Sequence, residues 1–452
     1  MADFYQNGPI ATLNRLCSDV LPELEEELVH YAEESPISLV LPALAREMDG
    51  EALPRIVREL CGADYVSEIV VALGRADGED YQRALDFFAP LPRKKILWLD
   101  GPPFQGLVET LVENELNPGG EGKGRAAWLA YGYILAEGRS EIIALHDCDI
   151  TTYDREILAR LCYPLVHPAF PFEFCKGFYS RVTDRLHGRV TRLLVTPLIR
   201  TLQGLLGHLP FLDYMDSFRY PLAGEFSMKI DLARINRVPS DWGLEVGTLA
   251  EVYRNCSVKR VCQAELCENY DHKHQPLSAD DPAQGLLKMS IDICKAIFRM
   301  LASEGVVLSQ GLLNSLRVAY LRMAQDHIVR YHADAAINQL YFDRHEEGLA
   351  VEAFVSAIET AGSDFYHDPL GERPMPNWNR VISGIPDFFD RIQAAVAESE
   401  RLVQVEEEDP PVGDPEKGGF APPSPFPLKT CQGLERPSPP PSPEEAAGCN
   451  LP

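Results

Sequence analysis

Between Ser38 and Leu145 the chain repeats one pattern: a short run of consecutive apolar residues, a turn, then a stretch with helical spacing. The first run is Ser38-Leu39-Val40-Leu41, halted by Pro42. The second, Glu68-Ile69-Val70-Val71-Ala72-Leu73, meets the turn-forming Gly74-Arg75-Ala76-Asp77-Gly78. The third, Lys95-Ile96-Leu97-Trp98-Leu99, stops at Asp100-Gly101-Pro102, and the fourth is Ile142-Ile143-Ala144-Leu145. Strands that are apolar on both faces need cover on both faces. Their alternation with helical segments such as residues 125–137 therefore predicts an α/β protein with a largely parallel sheet. In such sheets ligands bind beyond the carboxyl ends of the strands.

At that end of the fourth run stand His146-Asp147-Cys148-Asp149. On extended backbone the i, i+2 spacing points both carboxylates to one side and Cys148 to the other, where it reads as a small buried filler. Hard divalent cations take oxygen ligands and keep substrate phosphates in their shell, so such a pair suits a metal–diphosphate. Taken alone the pattern is equally that of two solvated aspartates capping the next helix.

The net charge of -26 repels nucleic acid and anionic membrane surfaces. An anionic substrate would then need a local basic pocket, and the cluster Lys176, Arg181, Arg185, Arg189 and Arg192 stands out for that reason. Arginine grips phosphate or carboxylate with parallel hydrogen bonds, and Thr191 adds a hydroxyl. No apolar run approaches the roughly 18 residues of a membrane span. Eleven cysteines without any C-x-x-C, behind a start that lacks the pattern of an export signal, predict reduced thiols in the cytoplasm.

The chain divides by composition into a helical segment at 1–35, the α/β region at 36–281, a helical region at 282–405 and a tail at 406–452. In the third of these, residues 286–303, 310–331, 349–361 and 386–403 show helical spacing. The acidic, Pro-rich tail cannot build a core and is expected to be disordered.

Further polar motifs punctuate the α/β region. Asn117-Pro118-Gly119-Gly120-Glu121-Gly122-Lys123-Gly124-Arg125 opens a helix. A glycine-rich loop there offers backbone N–H groups and the Lys123 charge to an anion, although it departs from a Walker A loop. Tyr220-Pro221-Leu222-Ala223-Gly224-Glu225 joins a turn to a carboxylate. Asp241-Trp242-Gly243-Leu244-Glu245 sets an aromatic face beside a carboxylate, as a sugar site needs, or else simply charges a helix start. Tyr270-Asp271-His272-Lys273-His274 offers a histidine for the Asp147/Asp149 pair.

Taken in order, these motifs resemble those of the glucosyl-3-phosphoglycerate synthases. They are the GKG loop, the D-x-D strand end, Lys176-Gly177-Phe178-Tyr179-Ser180-Arg181, Gly188-Arg189-Val190-Thr191, the P-L-x-G-E turn, Trp242-Gly243-Leu244-Glu245 and a last histidine before Pro276-Leu277. The resemblance covers about residues 36–277. It implies the GT-A nucleotide-diphospho-sugar transferase fold, a Rossmann-like mixed sheet, and a retaining, metal-dependent transfer of glucose from UDP-glucose to 3-phosphoglycerate. It further implies Asp149, Asp147 and His272 as ligands of Mg²⁺ or Mn²⁺. Pro42, Leu44 and Glu47 would hold the base, and Lys123 would lie near the diphosphate. Glu245, Trp242, Leu222 and Ala223 would lie about the glucose, and Arg189, Thr191, His274 and Lys176 about the acceptor. Glu245, Asp149, Lys123 and Leu222 are the residues it marks for catalysis, and a homodimer is expected. Two departures bear on this: Leu73-Gly74-Arg75-Ala76-Asp77 replaces the family's Ser/Thr-rich base loop, and Tyr270 stands where an arginine is common. Alternatives are a GDP-mannose-dependent mannosyl transfer on the same fold, or a nucleotide-sugar-binding regulator without turnover.

Overall fold

The computed structural model describes residue 6, residues 8–271 and residues 285–408, with side chains through residue 402. Its centre is an eight-stranded sheet. The strands are β1 (Ala11–Leu13), β2 (Ile37–Leu44), β3 (Val66–Gly74), β4 (Lys94–Trp98), β5 (Ile142–Leu145), β6 (Phe174–Phe178), β7 (Phe226–Lys229) and β8 (Val261–Glu265). They lie in the order β1-β8-β6-β7-β5-β2-β3-β4. All neighbours are parallel except β7, which runs against both β5 and β6. The α/β class and largely parallel sheet are thus as the apolar runs predict, and the mixed, Rossmann-like order is as the resemblance implies.

Alternation along each strand feeds two apolar layers. Val40, Val70, Ala72, Leu97, Ile143 and Leu145 enter one; Leu39, Leu41, Ile69, Val71, Ile96, Ile142 and Ala144 enter the other. Helical cover on both sides buries these runs completely, which is why they carry no polar alternation. On the first layer pack the C-terminal helices Gly285–Ser303, Gln310–Ile337, Arg344–His367 and Phe388–Glu408, through residues such as Phe298, Leu316, Phe354 and Ile392. Trp378 from this region stacks on Trp128 with ring centroids 4.3 Å apart.

Three departures have physical reasons. β2 does not stop at Pro42 but runs on to Leu44, with Pro42 opposite Ala72 of β3. β5 pairs β2 only as far as Val40 opposite Leu145, so Pro42 faces no ladder on that side and its missing N–H costs nothing there. The early end of β5 also opens the gap that the aspartates enter. β6 and β7 were not legible as strands, because Lys176 interrupts one and the other is only four residues long. Residues 11–13, read as helical, instead add an edge strand beside β8. The last helix passes residue 406 and ends at Glu408, and the rest of the expected tail lies outside the described residues.

Candidate active site

The site begins where β5 ends. His146 is fully buried; its Nδ1 lies 2.9 Å from the Asp147 carbonyl oxygen and its Nε2 lies 3.1 Å from the Tyr153 hydroxyl. Burial pulls its pKa down to about 4, so the ring is neutral and fixes the turn as a hydrogen-bonding strut. Asp147 then leans over the turn at Gly224, where a Cβ would collide with its carboxylate.

Lys123 starts the helix Lys123–Glu137. Its Nζ stands 2.5 Å from Asp147 Oδ1 and 3.0 Å from Glu245 Oε1. Gly124 permits this convergence, since a side chain there would strike the Pro239 carbonyl oxygen. The loop therefore packs on the segment leading into the helix Leu244–Asn255, whose first turn carries Glu245. Burial works against the Lys123 charge, but Asp147 and Glu245 outweigh it and hold the ammonium protonated well above its ordinary pKa.

Asp149 is mostly buried, and burial together with the neighbouring Asp147 charge raises its pKa to about 6. Glu47 is raised as well, by burial first; a bond from the Leu44 N–H at 2.9 Å opposes this, and the Asp149 and Asp147 charges add to it. Glu47, Asp147 and Asp149 thus share one field at the carboxyl ends of β2 and β5. The segment after β8 is tied to the same place: the Thr151 N–H and hydroxyl donate to the Asp271 carbonyl at 2.9 and 3.0 Å, and the Asp271 N–H donates to the Thr152 hydroxyl at 3.1 Å. His272 and His274 follow and lie outside the described residues.

Beneath the site lies a polar layer that sequence reading only partly found. Glu225 is fully buried, and its two oxygens accept from the hydroxyls of Tyr179 and Tyr270, each at 2.6 Å. Tyr270 is therefore a clamp on a carboxylate, at the position where the resemblance marks an arginine as common. Lys176 is buried too, and its ammonium donates to the Ala223 carbonyl. Burial lowers its pKa to about 8, against the opposing pull of Glu245 and Glu225. Lys176 accordingly supports the turn carrying Leu222 and Ala223. Trp242 is exposed at the rim, 46% accessible.

Arg189 and Thr191 lie where a π-helical stretch, Val190–Val195, leads into the helix Thr196–Leu206. Arg189 Nε and Nη2 donate to Glu347 Oε1 at 3.1 and 3.0 Å, and Arg192 Nη1 lies 3.3 Å from Glu347 Oε2. The Thr191 hydroxyl is buried without a hydrogen-bond partner among the described residues. Arg181 donates to the Tyr220 hydroxyl at 2.9 Å, and its charge acts on Asp149. Arg185 pairs with Asp184 at 3.0 Å on the surface. Glu347 escaped sequence reading because a glutamate in the first turn of a helix looks like ordinary solvated charge.

The donor set suits a hard divalent cation. Asp147 and Asp149 supply oxygens, and the Asp147 charge adds to burial in raising the Asp149 pKa, a repulsion that a cation would relieve. Among the described residues no three His, Cys, Asp or Glu side chains converge on one metal position. Two carboxylates plus substrate phosphate oxygens are the usual Mg²⁺ arrangement. Among the described residues no helix is long and apolar enough to cross a membrane.

No protein-family model matches the chain. A glucosyl-3-phosphoglycerate synthase of Persephonella marina is 45% identical over 399 residues, spanning 88% of this chain and 99% of that one. Another, of Methanococcoides burtonii, is 40% identical over 403 residues, 87% of this chain and 97% of that one. Among solved structures, a glucosyl-3-phosphoglycerate synthase of Mycobacterium tuberculosis in complex with Mn²⁺, uridine-diphosphate-glucose and phosphoglyceric acid aligns with a TM-score of 0.47 at 22% identity, over 66% of this chain and 89% of that chain.

Proposed function

The chain belongs to the glucosyl-3-phosphoglycerate synthase family of glycosyltransferases, and from that premise we propose that it moves glucose from UDP-glucose to the 2-hydroxyl of 3-phosphoglycerate with retained anomeric configuration. The observation that carries this reading is the Lys123 bridge, one ammonium held between Asp147 and Glu245. Glu245 would accept from the glucose hydroxyls and Asp147 would face the diphosphate. Lys123 would then stand at the junction of sugar and phosphate, where the leaving group gains negative charge.

Trp242 at the rim would flank the sugar, and the buried Ala223 with Leu222 would floor it. Leu44, Pro42 and Glu47 would line the base. Mg²⁺ or Mn²⁺ held by Asp149 and Asp147, with His272 by resemblance, would supply Lewis-acid neutralisation of the diphosphate. Arg189 and Thr191 would hold the acceptor's anionic groups, joined by His274 by resemblance. Glu225 has both oxygens occupied by tyrosine hydroxyls, so it braces the site rather than removing a proton. The acceptor proton would pass to the departing diphosphate oxygen.

Cys148, Cys162, Cys175, Cys262 and Cys294 are buried free thiols, in keeping with a cytoplasmic enzyme, and a homodimer is the expected assembly. Donor choice rests on the altered base loop, in which Arg75 adopts a left-handed φ of 53° and the Ala76 N–H is bound by Asp100 at 3.1 Å. Incubating the protein with Mg²⁺, 3-phosphoglycerate and either UDP-glucose or GDP-mannose, with product read by mass spectrometry, tests the proposal. A hexosylated phosphoglycerate from UDP-glucose supports it. Product from GDP-mannose alone overturns the donor, and no product from either overturns the activity.

A further inference from the structure

The acceptor arginine is held by a helix far along the chain, through a residue 158 positions away in sequence. The helices Gln310–Ile337 and Arg344–His367 meet at a corner that reaches over the loop carrying residues 181–192. At this corner the Tyr341 N–H donates to the Asp184 carbonyl at 2.8 Å, and the Arg185 guanidinium lies 5.0 Å over the Tyr341 ring. Asp343 caps the second helix, accepting from the N–H groups of His345 at 2.7 Å and Glu346 at 3.1 Å. That cap places Glu347 in the first turn, where it is only 5% exposed.

Glu347 is thus a buried carboxylate shared by two guanidinium groups. One oxygen takes the Nε and Nη2 of Arg189; the other lies against Nη1 of Arg192. Arg192 is fixed in turn, donating from Nε to the His187 carbonyl at 2.9 Å with its guanidinium 4.9 Å over the Tyr331 ring. The bonds to Arg189 engage Nε and Nη2, and the fork has a further nitrogen, Nη1, to offer a bound anion. A long arginine side chain loses much rotamer freedom when it grips a ligand, and a partner that fixes it beforehand removes that loss from the binding step.

We infer that Glu347 is a positioning residue for the acceptor: it presets Arg189, so that the C-terminal helical corner completes the binding of an anionic phosphoglycerate. This rests on the proposed reading that Arg189 faces the acceptor. Two other carboxylates lie near this corner, and neither fixes Arg189 as Glu347 does. Glu346 lies 3.8 Å from Arg189 but is largely exposed, and Asp184 is engaged by Arg185.

The test compares Michaelis constants of the full-length protein for both substrates, once wild-type turnover of UDP-glucose and 3-phosphoglycerate is in hand; absence of that turnover would indict the proposed activity instead. Glu347→Gln should raise the constant for 3-phosphoglycerate about 10-fold and leave that for UDP-glucose unchanged, as expected for loss of a charge-assisted contact. Glu347→Asp should recover part of the loss. Glu359→Gln, which breaks the exposed pair with Arg317 farther along the same helix, should change neither constant. Tyr341→Ala alters an exposed ring and spares the core; it should raise the 3-phosphoglycerate constant about 2- to 5-fold, the scale of a surface cation–π contact. A lower 3-phosphoglycerate constant in Glu347→Gln would make Glu347 a competitor of the acceptor and overturn the inference. Equal shifts for both substrates, or unchanged constants in both Glu347→Gln and Tyr341→Ala, would overturn it as well.

Discussion

Tyr179 and Tyr270 stack with ring centroids 3.7 Å apart and planes 2° from parallel, so that their two hydroxyls converge on one carboxylate. One ring follows β6 and the other follows β8, and these strands are neighbours in the sheet. The pair closes the floor of the site over Glu225. Tyr270→Phe keeps the stack but strips one donor from a fully buried carboxylate. Leaving such an acceptor unsatisfied costs roughly 1–3 kcal/mol. Urea unfolding should report a loss of that size, and an unchanged midpoint would show that Glu225 has no need of the second hydroxyl.

Lys123→Met should leave Asp147 and Glu245 facing one another without the cation between them. Turnover should fall about 100- to 1,000-fold, the usual scale for removing one preorganised stabiliser of transition-state charge. The Michaelis constant for 3-phosphoglycerate should change little, because Lys123 pairs with Asp147 and Glu245, the carboxylates proposed to face the donor. Steady-state kinetics with each substrate varied in turn makes the separation. A rise in the acceptor constant with normal turnover would move Lys123 out of the proposed role.

How far the sequence led follows from what each residue had to signal. β5 and the aspartates after it were legible because a fully buried strand must be continuously apolar and its polar successor stands out. The arginine cluster stood out against the acidic background, but its order in space did not. Lys176 was grouped with Arg189 by nearness in sequence, yet it lies in β6 with its ammonium turned under Ala223. Glu347 lies 158 residues from Arg189, and no local periodicity encodes a contact at that distance. The tyrosine clamp was hidden for a related reason: each hydroxyl acquires its meaning only when β6 and β8 become neighbours.

Lys176 gives the site a pH signature. Its ammonium has a pKa of about 8 in the fold against an ordinary 10.5, the result of burial partly offset by Glu245 and Glu225. Below the lower value both folded and unfolded chains hold the proton, so this group adds no slope to stability. Between the two values the unfolded chain binds more protons, and stability from this group rises with pH. Turnover should run the other way, declining as pH climbs through about 8, because the ammonium facing Glu245 and Glu225 is lost. In Lys176→Met both the turnover limb and the stability rise should be missing. Profiles that keep them would assign the titration to another group.

The product should carry the glucose in the α configuration of the donor. Inversion needs a base on the face opposite the leaving group, ready to take the acceptor proton. Glu225 is the carboxylate beside the turn that sequence offers for that work, but it is sealed from solvent with both oxygens bonded to tyrosine hydroxyls. Burial raises its pKa, with the Asp147 charge adding to the effect, which strengthens it as a base, but both oxygens are already engaged by the tyrosine hydroxyls and turned away from solvent. Glu245, for its part, is paired with Lys123. Attack from the face of the departing diphosphate needs neither group as a base, since the diphosphate oxygen receives the proton. Proton NMR of freshly formed product distinguishes the outcomes through the anomeric coupling: a small coupling marks α and supports same-face attack. A large coupling marks β, and it would require Glu225 to break from at least one tyrosine during turnover, a change that Tyr179→Phe and Tyr270→Phe would then accelerate rather than impair.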